Sequence, residues 1–427
     1  MINKYVSFDS LGKIGRGRSK HRPRNASHLY GGSYPFIQTA DISNSDLFIT
    51  KFSQTYSEAG LAQSKLWQPG VLCIVNAGVG TGDNAILQFA SCFPDSIIAF
   101  QANKKICEVR YIKYYLDSIK NGIRNITMGA TQDNLSVTKL LTFKIPFINY
   151  KTQRKIAAIL SAYDDLIENN NRRIAILEKM AEELYREWFV RLRFPGYESA
   201  KIVRGVPEGW AVIEAGKYFK VIKGRSYTSD EIEDYEATEN HKNFITLKNF
   251  KRGGGFRSDA KKYYCGKYND NQIVSGGSLV LAVTDMTQDR AVIGRIARIP
   301  VGSIPPSIIS CDVVKIEPVN ITESILYSIL RFSSYSESLK EFANGANVLH
   351  LKPELASKQK IIMPSKMLCD AFDEKFYPLL ISMDKINNTL ELLTTARDRL
   401  LSRLMSGKID VADLDIRFPA SMMEADL

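Results

Sequence analysis

Two apolar runs of the sequence match each other: Gly70-Val71-Leu72-Cys73-Ile74-Val75, and Gly277-Ser278-Leu279-Val280-Leu281-Ala282-Val283 about 207 residues later. Each run has the length of a buried β-strand. Two further matches keep nearly the same interval, namely Gly17-Arg18-Ser19 with Gly224-Arg225-Ser226, and Phe36-Ile37 with Phe244-Ile245. Chance matches would not keep one order and one interval, so the sequence predicts an internal repeat that spans about half the chain.

Each copy of the repeat ends in a long helical pattern. In the first copy, apolar or small residues recur in steps of three and four at Ile156, Ile159, Tyr163, Leu166, Ile174, Leu177, Ala181, Leu184 and Trp188. In the second copy the series is Phe376, Leu379, Met383, Ile386, Leu390, Leu393, Arg397, Leu400 and Leu404. Such seams are typical of coiled-coil helices, although a helix that only caps its own domain is the alternative. Pro378 is expected in the first turn of its helix or at a kink, and the polar seam residues Asn170 and Arg397 are candidates for fixing register.

Turn signals divide the chain into four segments, which are globular (1–149), helical (150–193), globular (194–365) and helical with a tail (366–427). Within each globular segment, short strand-like runs alternate with polar loops and one helical stretch. This pattern predicts α+β domains joined by long helices. The acidic tail to Leu427 is expected to be frayed.

The chain has a formal net charge of +11, and this charge is unevenly distributed. Residues 1–150 carry 17 basic and 9 acidic residues, and residues 194–365 carry 23 and 19, whereas the helical segments are nearly neutral. The positive excess therefore belongs to the globular copies, which favours a polyanionic partner such as nucleic acid.

The first copy contains a basic strip, in which Lys13, Arg16, Arg18, Lys20, Arg22 and Arg24 occupy half of twelve positions. Because arginine alternates with glycine and serine, the strip is expected to be an exposed loop that follows a phosphate backbone, and a solvated surface loop is the alternative. Loops after the repeated strands carry polar side chains that could read bases or could merely form turns. The candidate DNA-binding residues are Arg16, Arg18, Lys20, Arg22, Arg24, Asn76, Thr81, Gln132, Lys223, Arg225, Ser226, Tyr227, Thr284, Gln288, Arg290 and Asn347.

No catalytic or cofactor motif accompanies these residues. The loop from Gly78 to Asp83 lacks both the GxGxxG spacing and a GKS or GKT sequence. The six cysteines form no CxxC pair and the four histidines have no metal-ligand spacing, so we expect reduced core thiols and no metal. No apolar run reaches membrane-span length, so the sequence predicts no membrane partner, and reduced thiols are typical of a cytoplasmic protein. Because catalytic motifs are missing, the chain is not expected to be an enzyme.

The organisation resembles the DNA specificity subunits of type I restriction–modification systems. The resemblance is carried by Asp164-Asp165-Leu166-Ile167-Glu168-Asn169-Asn170-Asn171-Arg172-Arg173-Ile174 and by Leu184-Tyr185-Arg186-Glu187-Trp188-Phe189-Val190 in the first helix. Leu400-Leu401-Ser402-Arg403-Leu404-Met405-Ser406-Gly407-Lys408-Ile409 is similar to the second helical region of that family, and Pro207-Glu208-Gly209-Trp210 to the usual start of a recognition domain. The first copy lacks this Pro-x-Gly-Trp start.

The resemblance implies two α/β target-recognition domains, 1–149 and 194–365, separated by two helices that form an antiparallel coiled coil with pseudo-two-fold symmetry. It implies a bipartite, asymmetric site on double-stranded DNA, with a gap set by helices about 50 Å long at 1.5 Å per residue. It also implies two adenine methyltransferase subunits and restriction/translocase subunits as partners. S-adenosylmethionine and ATP/Mg would bind those partners, and this chain would hold no cofactor. A self-contained DNA-binding regulator or scaffold without enzymatic partners is the alternative.

Overall fold

The computed structural model describes residues 4–21, 23–128, 134–203, 205–234, 241–302 and 304–423. The chain divides into two compact units. Unit 1 comprises residues 1–169 and 393–427, and unit 2 comprises residues 170–392. Each unit therefore contains a globular copy of the repeat together with parts of both long helices.

The globular part of unit 1 is a mixed α/β structure. Its strands are β1 (Tyr5–Val6), β2 (Gly12–Arg16), β3 (Tyr30–Phe36), β4 (Phe48–Ile49), β5 (Gln54–Tyr56), β6 (Leu72–Val75), β7 (Asn84–Leu87), β8 (Ile97–Ala102) and β9 (Ile145–Pro146). Its helices are α1 (Thr39–Ser43), α2 (Glu58–Ala62), α3 (Val109–Ser118), α4 (Lys120–Met128) and α5 (Val137–Thr142). The main sheet has the strand order β2-β8-β6-β7-β4, and β1 pairs with β9.

The first long helix, α6 (Tyr150–Tyr185), follows directly and ends in a short π-helical turn, Arg186–Val190. Asn149 caps it, because the Asn149 side chain accepts a hydrogen bond from the N–H of Thr152 at 2.8 Å.

Unit 2 repeats the layout of unit 1. Its strands are β10 (Ile202–Val203), β11 (Val206–Pro207), β12 (Ala211–Glu214), β13 (Phe219–Lys223), β14 (Ile232–Glu233), β15 (Lys242–Ile245), β16 (Tyr263–Tyr264), β17 (Ile273–Val274), β18 (Leu279–Ala282), β19 (Thr284–Asp285), β20 (Ile296–Arg298), β21 (Ser307–Ile309), β22 (Val313–Pro318), β23 (Leu349–His350) and β24 (Lys360–Met363). Its helices are α7 (Glu323–Phe332), α8 (Tyr335–Lys340) and α9 (Glu354–Lys358), after which the chain forms α10 (Lys366–Met405) and α11 (Ala420–Met423).

The sheet order confirms the repeat. The order β13-β22-β18-β20 in unit 2 matches β2-β8-β6-β7 in unit 1, strand for strand along the chain. The pair β12 and β24 corresponds to β1 and β9. Even the parallel pairing of Phe36 with Cys92 has a counterpart, since Phe244 pairs in parallel with Ile308.

The long helices run antiparallel within each unit. In unit 1 the start of α6, with Ile156 and Leu160, shares a core with Leu404 and Met405 at the end of α10. In unit 2 the aromatic end of the first helical segment packs on the beginning of α10, where the Phe189 and Phe372 rings lie 4.7 Å apart. The coiled-coil arrangement predicted from the two seams is therefore present in both units.

The seam of α6 differs by one position from the predicted one. Leu166, expected inside, is 49% exposed, whereas Ile167 is 8% exposed and Asp164 is also buried. A lone buried carboxylate would be costly at this position. Asp164 tolerates this position because its carboxylate is paired with Arg397.

The structure also bears on two expectations about α10 and the tail. Pro378 lies about three turns inside α10, so of its two expected places, the first turn or a kink, the first turn is excluded. The tail is not frayed as far as Met423, because Met422 is buried among Ala157 and Ala158 of α6. The buried guanidinium of Arg110 on α3 also donates to the Ser421 hydroxyl oxygen at 3.1 Å.

Candidate nucleic-acid interface

The repeated glycine of the Gly-Arg-Ser motif lies against a turn that precedes a central strand. In unit 1 an ideal Cβ on Gly17 would lie 2.0 Å from the carbonyl oxygen of Pro94, so no side chain fits there. The Gly17 N–H donates to the carbonyl of Ile97 at 2.9 Å, and the Arg18 N–H donates to that of Phe93 at 2.9 Å.

Unit 2 builds the same contact from different residues. A Cβ on Gly224 would lie 2.0 Å from the carbonyl oxygen of Ser310, and the Arg225 N–H donates to the carbonyl of Ile309 at 2.8 Å. The motif therefore recurs because close backbone approach requires glycine and because the next residue is anchored through its own backbone. Because the anchoring uses only the backbone, the side chains of Arg18 and Arg225 can make different contacts in the two units.

An aromatic pair lies beside each motif. Phe36 stacks on Tyr56 with ring centroids 3.9 Å apart, and Phe244 stacks on Tyr264 at 5.0 Å, each with an interplanar angle of 18°. In unit 2 the guanidinium of Arg225 donates to the Tyr264 hydroxyl at 3.3 Å. This hydrogen bond places the half-buried guanidinium of Arg225 beside the Tyr264 ring.

The basic strip of unit 1 is only partly a loop. Lys13 and Arg16 lie on β2, the edge strand of the main sheet, so the expectation that the whole strip is a loop was wrong. An edge strand with one exposed face tolerates the charges that a central strand would not. Arg18, Lys20 and Arg24 follow in the loop and are exposed. Arg22 lies outside the described residues.

Asp95 accepts hydrogen bonds from two arginines of this strip. The guanidinium of Arg24 donates to both Asp95 carboxylate oxygens at 2.9 and 3.0 Å, while Arg16 donates to the Asp95 backbone carbonyl at 2.9 Å. Both partners of the ion pair are about half exposed, so it contributes little to stability. Sequence reasoning missed Asp95, whose position in Phe93-Pro94-Asp95-Ser96 signals only a turn.

Lys20 and Arg18 are held through their backbones and not through their side chains. The Lys20 N–H donates to the Gln63 side-chain oxygen at 2.6 Å, and the Arg18 carbonyl accepts from the Ser64 hydroxyl at 2.7 Å. The loop is therefore fixed while the cationic ends of these two residues extend into solvent. This is the arrangement that phosphate recognition requires.

The corresponding residues of unit 2 have more protein partners. Lys223 pairs with Glu354 at 2.7 Å, and both side chains are exposed. Tyr227 packs edge-on against Phe244 at 5.1 Å, and Ser226 is exposed beside it. The two basic surfaces thus share a backbone framework but present different side chains.

Several predicted base-reading residues are used to build the loops. Asn76 is buried and donates to the Asp95 carbonyl at 3.1 Å, and the buried Thr81 hydroxyl donates to the Gly78 carbonyl at 2.6 Å. In unit 2 the buried Thr284 hydroxyl donates to the Asp312 carboxylate at 2.8 Å. Base reading by these three residues stays a prediction, and the structure gives each of them a loop-forming role.

Three of the remaining candidates, Gln288, Arg290 and Asn347, lie on the loops around β19 and β23. The Gln288 amide donates to the Ala346 carbonyl at 2.9 Å, and Arg290 pairs with Glu341 at 2.7 Å. Arg290 also has a positive φ of 53°. Asn347 is exposed, whereas Gln132 lies outside the described residues.

The loop after β18 is fixed by Asp285. Its carboxylate accepts hydrogen bonds from the N–H groups of Thr287, Val292 and Ile293 at 2.8–3.2 Å. Burial would raise the pKa of Asp285, but these N–H donors and the Thr287 hydroxyl outweigh burial and hold the pKa below its usual value. The glycine-rich loop of unit 1 takes the equivalent place between the antiparallel strands β6 and β7, unlike a dinucleotide loop, which opens a helix.

The described residues include no cluster of three or more histidine, cysteine or acidic side chains placed to hold a metal ion. Among the same residues, no helix combines the length and apolar character needed to cross a membrane.

Comparison with known proteins shows which family this chain resembles. The family described as type I restriction modification DNA specificity domain matches residues 3–179. The chain is 25% identical over 417 residues to the type I restriction enzyme MjaIX specificity subunit of Methanocaldococcus jannaschii, covering 90% of this chain and 89% of that one. It is 24% identical over 464 residues to the HindI specificity subunit of Haemophilus influenzae, covering 94% and 98%. The chain therefore resembles type I restriction enzyme specificity subunits over about nine tenths of its length, and residues 3–179 match the DNA specificity domain itself.

The fold of the chain also resembles a solved one. The type I restriction–modification S subunit from M. genitalium superposes with a TM-score of 0.55 at 18% identity, covering 94% of this chain and 95% of that chain. The matched domain is described as a DNA specificity domain, and the matched relatives are named as specificity subunits of type I restriction enzymes. The two basic surfaces described above are the candidate DNA contacts of this chain.

Proposed function

We propose that this specificity subunit reads a bipartite, asymmetric site on duplex DNA, with one half-site for each unit, and directs partner adenine methyltransferase subunits to it. The observation that carries the proposal is the recurrence of one backbone framework with different side chains. Gly17 and Gly224 make the same close approach, yet Arg24 pairs with Asp95 in unit 1 and Lys223 with Glu354 in unit 2. A common frame with different contact groups favours two related but unequal half-sites.

The long helices supply a docking surface for the partner subunits. Apolar side chains stand exposed on them, with Ile176 at 59% and Met180 at 51%, one turn apart on α6, and Leu392 at 72% on α10. Residues four apart lie on one helix face, so Ile176 and Met180 form an apolar patch of the kind that partners cover. Two methyltransferase subunits would bind S-adenosylmethionine, and restriction/translocase subunits would bind ATP/Mg. The described part of this chain contributes recognition alone.

Mapping of methylated adenines tests the proposal. DNA exposed to the chain together with its methyltransferase should carry the modification at one motif with two specified parts and an unspecified gap. Omitting the chain should abolish methylation at that motif. DNA binding by the chain without any directed methylation would favour the alternative, a self-contained regulator or scaffold.

The gap between half-sites gives a second test. A deletion of seven residues from the middle of α6 and seven from α10 shortens each helix by about 10 Å. If the helices set the gap, the accepted spacing should decrease by about three base pairs, since each base pair occupies about 3.4 Å. Methylation with the original gap would rule out the helices as the spacer.

A further inference from the structure

In both units, the connection between two equivalent strands of the main sheet carries an exposed apolar side chain. In unit 1 the connection between β6 and β7 carries Val79, which is fully exposed. In unit 2 the connection between β18 and β20 carries Met286, which is 69% exposed. Because these strands occupy equivalent places in the two sheets, an apolar side chain projects twice from one position of the repeat.

Polar side chains beneath each tip form hydrogen bonds within the protein. Thr81 bonds to Gly78, and Asn84 donates to Asp117 at 3.0 Å. In unit 2 the Asp285 carboxylate accepts N–H groups from both sides of its loop. The connections are therefore held by internal hydrogen bonds, and each of them leaves an apolar side chain exposed at its tip.

Each connection starts where the candidate DNA-contacting strip is anchored. Asn76, at the base of the Val79 connection, donates to the Asp95 carbonyl that also accepts from Arg16, and Arg24 pairs with the Asp95 carboxylate. In unit 2 the base of the Met286 connection, Thr284, donates to Asp312. Asp312 lies two residues from Ser310, which forms a β-bridge with Arg225. In each unit, the segment that carries the cationic side chains and the connection that carries the apolar tip are thus anchored on the same turn.

We propose that Val79 and Met286 make the apolar base contact through which each unit reads its half-site, while the neighbouring arginines hold phosphates. This inference rests on the proposed function. The thymine methyl group in the major groove is the apolar feature that such a side chain matches, whereas a phosphate offers it nothing. A braced loop also loses little conformational freedom on binding, which favours a contact that discriminates between bases.

The test compares Val79→Ser and Met286→Ser with the wild type, using the full chain with its methyltransferase. Binding is measured at several salt concentrations to the duplex that carries the mapped motif and to an unrelated duplex. We expect each serine variant to bind the motif about ten-fold more weakly, with an unchanged salt slope and unchanged affinity for the unrelated duplex. Arg18→Ala should instead weaken binding to both duplexes and lower the salt slope by about one.

Matched controls come from exposed apolar side chains elsewhere in each unit. Ile126→Ser and Val212→Ser, at residues 50% and 57% exposed, should bind both duplexes as the wild type does. Unchanged motif affinity in either tip variant overturns the inference for its unit, as does an equal loss on both duplexes. A wild type with no preference for any motif would instead overturn the proposed function itself.

Discussion

The guanidinium of Arg397 donates to the carboxylate of Asp164 at 2.9 Å and so joins the end of α10 to α6 within unit 1. Asp164 is buried and also accepts a hydrogen bond from the Tyr114 hydroxyl of α3. Burial alone would lower the pKa of Arg397, but Asp164 and then Asp398 raise it above its usual value. The charged seam residue is therefore matched by a charge on the facing helix, which also ties the helix pair to the globular part of unit 1.

Replacing Arg397 should destabilise the protein, because Asp164 would lose its ion-pair partner. Arg397→Met leaves Asp164 buried without its cation, and we expect a loss of about 2 kcal/mol in the free energy of unfolding, less than for a fully buried pair because Arg397 is a quarter exposed. Urea titration measures the change. The exposed neighbour Arg399 provides the control, since Arg399→Met should change the free energy by less than about 0.5 kcal/mol. Equal effects of the two substitutions would contradict the role of the ion pair.

The repeated glycines should be intolerant of alanine. A methyl group at position 17 or 224 meets backbone carbonyl oxygens that have no flexible end to move, so Gly17→Ala and Gly224→Ala should each destabilise the protein by about 3 kcal/mol. Gly122 offers the opposite control, because it lies in α4 with open space around it. Gly122→Ala should stabilise the helix by up to about 1 kcal/mol. Thermal unfolding of the three variants measures these changes. A Gly122→Ala variant less stable than the other two would contradict the prediction.

Stability should fall in acid partly through Asp285. Its folded-state pKa lies below the ordinary value of 3.8, so its ionised form stabilises the fold at every pH well above that value. This contribution should be constant from pH 7 to about pH 5 and should decrease as the pH falls below 3.8 towards the folded-state pKa. The difference in free energy of unfolding between wild type and Asp285→Asn, followed against pH, measures it. A difference that grows on acidification would show the opposite sign.

Thiol reactivity should separate two cysteines from the other four. Cys265 and Cys311 are exposed, whereas the other four are buried, so the expectation that all six are core thiols was wrong. Burial raises the pKa of Cys107 to about 12 and that of Cys369 to about 11, which suppresses their thiolates at neutral pH. An aromatic disulfide reagent should therefore titrate two thiols in the native protein and six after denaturation. Reaction of one further thiol without denaturant would contradict the burial pattern.

Sequence reasoning located the repeat, the order of segments and the helical seams because strand-length apolar runs and three-four spacing are local signals. It misplaced the α6 seam at Leu166 because the position that faces inward is held by a charged residue, Asp164, whose partner is 233 residues away. It also treated Asn76 as a base-reading candidate, although its amide is used within the loop. Hydrogen-bond partners that are distant in sequence decide whether a polar loop residue faces inward, and no local pattern contains them.

The discontinuity of unit 1 affects how the protein is made. Its core includes Ile156 and Leu160 together with Leu404 and Met405, and Met422 covers Ala157 and Ala158. Those later residues leave the ribosome only after all of unit 2 has been synthesised, whereas unit 2 is a continuous stretch, 170–392. Unit 2 can therefore complete its core during translation, but the globular part of unit 1, although translated first, must wait with apolar surface uncovered. In a growing chain, the earlier half is therefore the one that keeps its apolar surface exposed for longer.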